Sequence, residues 1–518
     1  IEKYSGTASD LQAHYERNLG YTYRNREDSL NLFQSQPSQY NYYLYPNETD
    51  NYLQVHTHLY TRLPLGKKQF LNTTLFHTKG AGYFEQFKPE GNLADYGVNP
   101  GIDSSLWQAS ITRQRWLSNH LLGLNANWEN QGTIGQWQAG LFASQYWGQH
   151  FGDITHISTA DLAQALRYYQ STGNKFEAST WVKYRSPRSA FGYMNAELQE
   201  RWVQQQGLGT DNDLRPVDFN HNYAFFNPKI GWDWQGFHHQ LFASWSRAHR
   251  EPARSDYTDA PNGSLAKPER LDDFELGWNY LRPNWNLKIN AFFMDYKDQL
   301  VLTGRVNDVG TALRTNVDAS FRRGLEMQSQ AVITPRSLVV LTALGNASLS
   351  DNRIAQMDIV WLDYATYEEH VERVENTPIS YSPGFTAMGG LQAEWGRRLY
   401  LPKTGEWTEK THGIRWSSQL RNRWVGRQYL DNSGTLSRSL DPYRYAEWTI
   451  QAEGAGKNLR GQVWKPSLQL QVINLFNTRY ASNGYSWGYT YGSPEVIQEV
   501  FVFPQAGRHF LLSMQLAF

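Results

Sequence analysis

The chain has no cysteine in its 518 residues. That excludes a disulfide framework, thiolate metal centres and cysteine nucleophiles. It also has no uninterrupted apolar run of 18 residues, and its mean hydropathy is −0.64, which together exclude helical membrane spans. No sign of charge dominates: 49 Lys and Arg balance 49 Asp and Glu, so no global basic field exists to hold a nucleic-acid backbone. Gly-x-Ser-x-Gly, His-Glu-x-x-His, Walker and dinucleotide signatures are missing too, which argues against the common enzyme classes. No signal peptide is visible at Ile1, as expected of a mature or truncated chain.

What is abundant is aromatic: 20 Trp, 32 Tyr and 24 Phe. Trp and Tyr gather at bilayer interfaces, and a β-barrel hides its hydrophobicity by alternating lipid-facing with lumen-facing residues. The C-terminal stretch has that pattern, with Phe510, Leu512, Met514, Leu516 and Phe518 on one side. Leu53, Val55, Thr57, Leu59, Thr61 and Leu63 likewise oppose Gln54, His56, His58, Tyr60 and Arg62. A short turn at 64–68 then leads to Leu71, Thr73 and Leu75, giving a hairpin with one apolar and one wet face.

Similar patterns recur at 106–128, 137–147, 174–184, 189–202, 223–234, 239–247, 271–281 and 285–296. They continue at 319–333, 337–350, 385–395, 413–424, 445–454, 464–474 and 507–518, with an uncertain strand at 11–24. Tight connections such as Ser186-Pro187-Arg188 and Arg282-Pro283-Asn284 alternate with long loops. In hydrocarbon every backbone polar group needs a partner, so such a sheet must close. The expected fold is all-β: a large antiparallel transmembrane β-barrel of about 18 strands, with residues 1–518 as one barrel domain.

Several stretches resemble the TonB-dependent receptors, the energised nutrient importers of outer membranes. Asn474-Leu475-Phe476 followed by Tyr480, and Pro504 through Gly507-Arg508, are similar to the family's approach to its last strand. Lys267-Pro268-Glu269 with Glu275-Leu276-Gly277, Asn316-Val317-Asp318 with Gly324-Leu325-Glu326, and Thr377-Pro378 with Ser382-Pro383 follow in family order. Asn47–Tyr52 and His77–Lys88 resemble receptors of the Bacteroidota branch.

The resemblance implies a bacterial outer-membrane location, import of a scarce extracellular nutrient, and partnership with TonB through an N-terminal box. It implies no cofactor, no metal site, no catalytic residue and no nucleic-acid partner; a surface lipoprotein stands as a further candidate partner. The family also has a plug domain and closes with about 22 strands, so the chain reads as a C-terminal portion lacking the plug and upstream strands. An iron chelate is the first expectation for cargo, with cobalamin, haem, glycan or peptide as alternatives. Haem-uptake relatives place a His between positions matching Arg250-Glu251-Pro252 and Lys267, and this chain has none there. A passive porin and a barrel hydrolase are the alternatives of another class.

Capture is expected in loops 78–105, 148–173, 248–270, 351–384 and 475–506. The ligand-binding candidates are His77, Tyr83, Phe84, Phe87, Tyr96, Trp147, His150, His156, Tyr485, Trp487 and Tyr489, since aromatic rims stack on sugars, catechol-type chelates or flat cofactors. His56 and His58 share a strand face, where two imidazoles could share a cation or simply be hydrated. Glu275 and Glu326 are expected to face the lumen or to pair with a neighbouring Arg.

Overall fold

The computed structural model describes residue 34 and residues 45–99, 107–132, 134–258, 266–306, 312–396, 398–401, 406–409, 413–457, 463–493 and 495–517. The segment expected at 11–24 and the terminal Phe518 lie outside the described residues.

Alternation dictates the architecture. β1 (Asp50–Gly66) and β2 (Gln69–Asn92) form the first hairpin, with Leu59 opposite Leu75 and Leu63 opposite Leu71. β3 (Gln108–Gly132), β4 (Gly135–Ile157), β5 (Leu166–Arg185) and β6 (Tyr193–Thr210) follow. Next come β7 (Pro216–Gln235), β8 (His239–Arg250), a short helix α1 (Arg254–Thr258), β9 (Glu269–Arg282), β10 (Trp285–Val306), β11 (Ala312–Val332) and β12 (Val340–Asp363). β13 (Glu369–Pro378) folds back on the upper part of β12, and β14 (Phe385–Trp395) pairs with its lower part. A small hairpin, β15 (Arg398–Leu401) with β16 (Glu406–Glu409), precedes β17 (Gly413–Val425). The short pair β18 (Gln428–Tyr429) and β19 (Ser439–Leu440) precedes β20 (Tyr443–Lys457) and β21 (Val463–Ile473). The loop hairpin β22 (Ala481–Thr490) and β23 (Ile497–Pro504) comes before β24 (His509–Ala517).

The main sheet holds twenty strands; β13, β22 and β23 belong to loops, and the other seventeen form the wall. Each wall strand is antiparallel to its neighbour, from β1 through to β24 on β21. Seventeen wall strands agree with the expectation of about 18. Both edge strands, β1 and β24, run from the long-loop end to the short-turn end. Neither edge has a second partner among the described residues.

Register assigns the two faces. Helix α1 touches the wall through Ser171, Tyr223 and Arg314, which sit on β5, β7 and β11, so their common face is concave. The opposite face carries Leu75, Leu124, Leu141, Leu198, Leu276, Leu325, Leu391 and Leu512, all exposed, as a lipid-facing belt would be. The C-terminal pattern fits: Phe510, Leu512, Met514 and Leu516 pair with Val472, Leu470, Leu468 and Pro466 on that outer face. The inner face near the short-turn end is polar. Gln138, Lys183, Asn195, Glu197, Lys229 and Glu275 line a cavity of about 530 Å³ there, so Glu275 faces the lumen as expected.

Strands outrun the sequence reading at the long-loop end. The segments expected as loops at 78–105 and 148–173 are largely strand, because β2 continues to Asn92, β4 to Ile157 and β5 begins at Leu166. Above the bilayer both faces of a strand meet polar surroundings, so apolar–polar alternation fades while backbone pairing persists. Gly277 and Gly324 lie directly under neighbouring aromatic rings. A Cβ on Gly277 would sit 1.9 Å from the Phe242 ring, and one on Gly324 would sit 2.8 Å from Phe292: neighbouring rings occupy the space.

Candidate functional site at the long-loop end

Inward-facing side chains of the first five strands meet the β8–β9 loop around a cavity of about 660 Å³. Asp50, Tyr52 and Gln54 come from β1, Phe84 from β2, Arg115 and Asn119 from β3, His150 from β4 and Tyr169 from β5. Asp211, Arg254, Ser255 and Thr258 close it from the loops. Tyr52 is pinned at the rim: Asn119 Nδ2 donates to its hydroxyl at 3.1 Å and Gln54 Nε2 at 3.4 Å. The Arg115 guanidinium lies 5.5 Å from the Phe84 ring centroid.

Arg254 donates to Ser171 Oγ at 2.9 Å and lies 3.9 Å from Asp211, while its Nε is buried without a hydrogen-bond partner. Burial, and secondarily the Arg254 charge, pull the His150 pKa down to about 4, so its imidazole is neutral at pH 7. His150 sits three residues beyond Trp147, whose exposed ring marks the outer girdle, and so lies above the bilayer. Burial pushes the Tyr169 phenol up, against the pull of Arg115, and keeps it a neutral donor. Two guanidiniums, two carboxylates, two phenols and a ring make a polar vestibule in which guanidiniums can meet ligand oxygens and rings can stack.

The loop that delivers Arg254 is anchored by charge. Glu251 receives Arg201 Nη1 and Nη2 at 2.7 and 2.8 Å and Lys175 Nζ at 2.6 Å, while Arg201 also reaches Glu177 at 2.8 Å. Gln205 Nε2 donates to Pro252 O at 3.1 Å. Tyr257 stacks on Phe219 and His221 at 4.9 and 4.6 Å and shares a 2.6 Å hydroxyl contact with Tyr223. Burial alone would raise the Glu251 pKa, but the hydrogen bonds from Arg201 and Lys175 outweigh it and hold it at about 2. A depressed carboxylate contributes stability above its unfolded value and loses it as pH falls through the folded one. Protection of the amides at 254–258, taken relative to intrinsic exchange at each pH, is therefore expected to hold from pH 7 to the unfolded value near 4.5 and to fall from there towards pH 2. Exchange measured along that series checks this, and Glu251→Gln is expected to flatten the profile.

Of the candidates named from sequence, Phe84 and His150 line the cavity. Tyr83 adjoins it by backbone, but its ring points outward and packs 4.4 Å from Trp116. Trp147 and His77 also face outward, and His77 Nε2 lies 3.1 Å from His120 Nδ1. Phe87 stacks on Tyr45 at 5.5 Å. Tyr96 is buried beside Arg113 and Tyr168 in a small core with Ile111 and Ile154. His156 is exposed at the tip of β4. Tyr485 stacks on Phe501 at 5.0 Å within the β22–β23 hairpin, and Tyr489 meets Tyr364 edge-on at 5.3 Å, tying that hairpin to the end of β12. Trp487 lies on β22 opposite Glu499, and its side chain lies outside the described part of the structure. His56 and His58 do not converge on a cation: Nδ1 of each meets a hydroxyl, of Thr78 at 2.9 Å and Tyr60 at 2.6 Å.

The loops that follow β10, β12, β17 and β21 interlock with one another. Asp431 pairs with Arg438 at 2.5 Å, Asn432 Nδ2 donates to Leu302 O at 2.5 Å, and Asp363 accepts from Thr490 and from the amides of Ala365 and Gly492. Asn474, at a φ of 53°, spans its turn by donating to Thr478 O at 2.8 Å and accepting from Thr478 N at 2.8 Å. That turn role is what makes its side chain specific.

A wall of antiparallel strands with a lipid-facing belt, a polar lumen and an arginine-lined vestibule is the frame of a receptor barrel. The family model described as TonB dependent receptor-like, beta-barrel, matches residues 3–475. The chain belongs to that family. It is an outer-membrane β-barrel, and the long-loop end of this TonB-dependent receptor barrel faces outward from the cell.

Solved structures share the fold at low identity. The ferric-catecholate import receptor Fiu from E. coli K12, in its closed form, matches with a TM-score of 0.60 at 14% identity, over 96% of this chain and 68% of that one. The ferric citrate transporter FecA, unliganded, gives 0.59 at 12%, over 90% and 62%. The copper transporter OprC gives 0.60 at 13%, over 89% and 65%. The chain thus spans roughly two thirds of the length of these receptors. No curated protein matches it in sequence. The family and these neighbours are transport receptors rather than enzymes.

Proposed function

We propose that this barrel captures an anionic iron chelate of siderophore type at the vestibule and belongs to a TonB-energised importer. The observation that carries the reading is the cavity where the Arg115 and Arg254 guanidiniums, with the Asp50 and Asp211 carboxylates, stand beside the Phe84 ring and the Tyr52 and Tyr169 phenols. Ferric chelates of catecholate or carboxylate type present negatively charged oxygens, which guanidiniums recognise through charge-assisted hydrogen bonds. Support also comes from the iron chelates named for Fiu and FecA. Import itself would use the plug and TonB box of the family, with the inner-membrane proton gradient as the energy source. The stretches Asn47–Tyr52 and His77–Lys88 favour the Bacteroidota branch.

Tryptophan fluorescence of the purified receptor, titrated with ferric catecholates, ferric citrate, haem and cobalamin, tests the reading. Saturable quenching by an anionic ferric chelate is expected. Binding confined to cobalamin, or to haem without either ferric chelate, would overturn it.

A further inference from the structure

One cluster outside the vestibule is chemically conspicuous. His77 and Lys79 on β2 and His120 on β3 all stand on the outer face of the wall, not in the lumen. Register shows it: Lys79 pairs with Val55 and His120, and His120 pairs in turn with the exposed Trp147. Immediately towards the short-turn end the same face carries the exposed Leu75, Leu122 and Leu124 of the lipid belt. Towards the outside it carries a collar of rings, with Trp116 packed 4.4 Å from Tyr83 and 5.8 Å from Phe151. The cluster therefore sits at the depth where acyl chains end and headgroups begin.

Basic groups at that level are drawn to anionic headgroups. Lys79 is exposed, and no carboxylate pairs with it among the described residues. The imidazoles of His77 and His120 are stacked, with Nε2 of one 3.1 Å from Nδ1 of the other. That contact makes one ring the donor. The accepting ring must then carry its own proton on its far nitrogen, so even the uncharged pair always keeps an N–H to offer. An ammonium, an imidazole N–H and a flanking apolar strip form a complementary surface for a phosphate carried on acyl chains.

We propose that His77, Lys79 and His120 form a site on the outer wall for the phosphorylated headgroup of an outer-leaflet lipid. Lys79 and the His pair hold the phosphate oxygens, while Leu75, Leu122 and Leu124 contact the chains. The site is independent of the vestibule and of what the receptor carries.

Native mass spectrometry of the receptor purified from outer membranes, with added phosphatidic acid or with diacylglycerol of the same chains, tests this. Retention of phosphatidic acid over diacylglycerol is expected. Lys79→Gln, an exposed change that leaves the fold intact, is expected to weaken retention about fivefold, and His77→Gln/His120→Gln in addition to reduce it further. Heat-dependent gel migration confirms that each variant is folded. Equal retention of diacylglycerol, unchanged retention in the folded variants, or full displacement by millimolar inorganic phosphate would each overturn the proposal.

Discussion

Leu141→Arg is expected to destabilise the folded barrel by about 2–4 kcal/mol, whereas Gln138→Arg, on the same strand, is expected to stay within about 0.5 kcal/mol. Leu141 is exposed on the outer face of β4, six residues above the short turn, and so lies near the bilayer midplane. An arginine there must strip its charge of water or drag water and headgroups inward. Gln138 faces the polar lumen wall beside Lys183 and Glu197, where a guanidinium stays hydrated and finds a carboxylate. Urea unfolding in lipid vesicles, followed by tryptophan fluorescence, compares the two. Equal costs would mean that the assignment of faces is wrong.

Arg115→Ala combined with Arg254→Ala is expected to weaken binding of an anionic ferric chelate about a hundredfold, with about tenfold from each. The two guanidiniums come from different elements, one from the wall strand β3 and one from the β8–β9 loop, and a combined loss short of the product of the two would measure their coupling. Tyr52→Phe, which keeps the ring and removes the hydroxyl held by Asn119, is expected to cost less than either. Titration of each variant by fluorescence quenching gives the ratio. Wild-type affinity in the double variant would move the site away from this cavity.

Much of the wall is legible in the sequence. The hairpin of Leu53–Leu63 with Leu71–Leu75 has the face assignment that alternation implies, and the patterns at 385–395 and 413–424 correspond to β14 and β17 almost residue for residue. The strand ends were not legible. Beyond Leu75 the outer face of β2 turns polar at His77 and Lys79, so the residues that mark a strand inside the bilayer stop marking it outside. The same fading explains the site candidates. Tyr83 and Phe84 are adjacent in sequence and equally aromatic, yet one packs against the outer collar and the other lines the cavity. Counting in twos from Leu75 would have separated them.

The sequence alone determined that this protein is a sheet with one apolar face, because lipid selects residues one at a time along each strand and leaves a period-2 trace. Its ordered motifs were enough to place it among TonB-dependent receptor barrels. Only the tertiary structure decided where charge converges. Arg115 and Arg254 lie on β3 and on α1, and nothing local to either residue marks a shared cavity. Curvature of the wall and the ion pairs that draw Glu251 inward bring them together, and both depend on contacts between strands far apart in the chain.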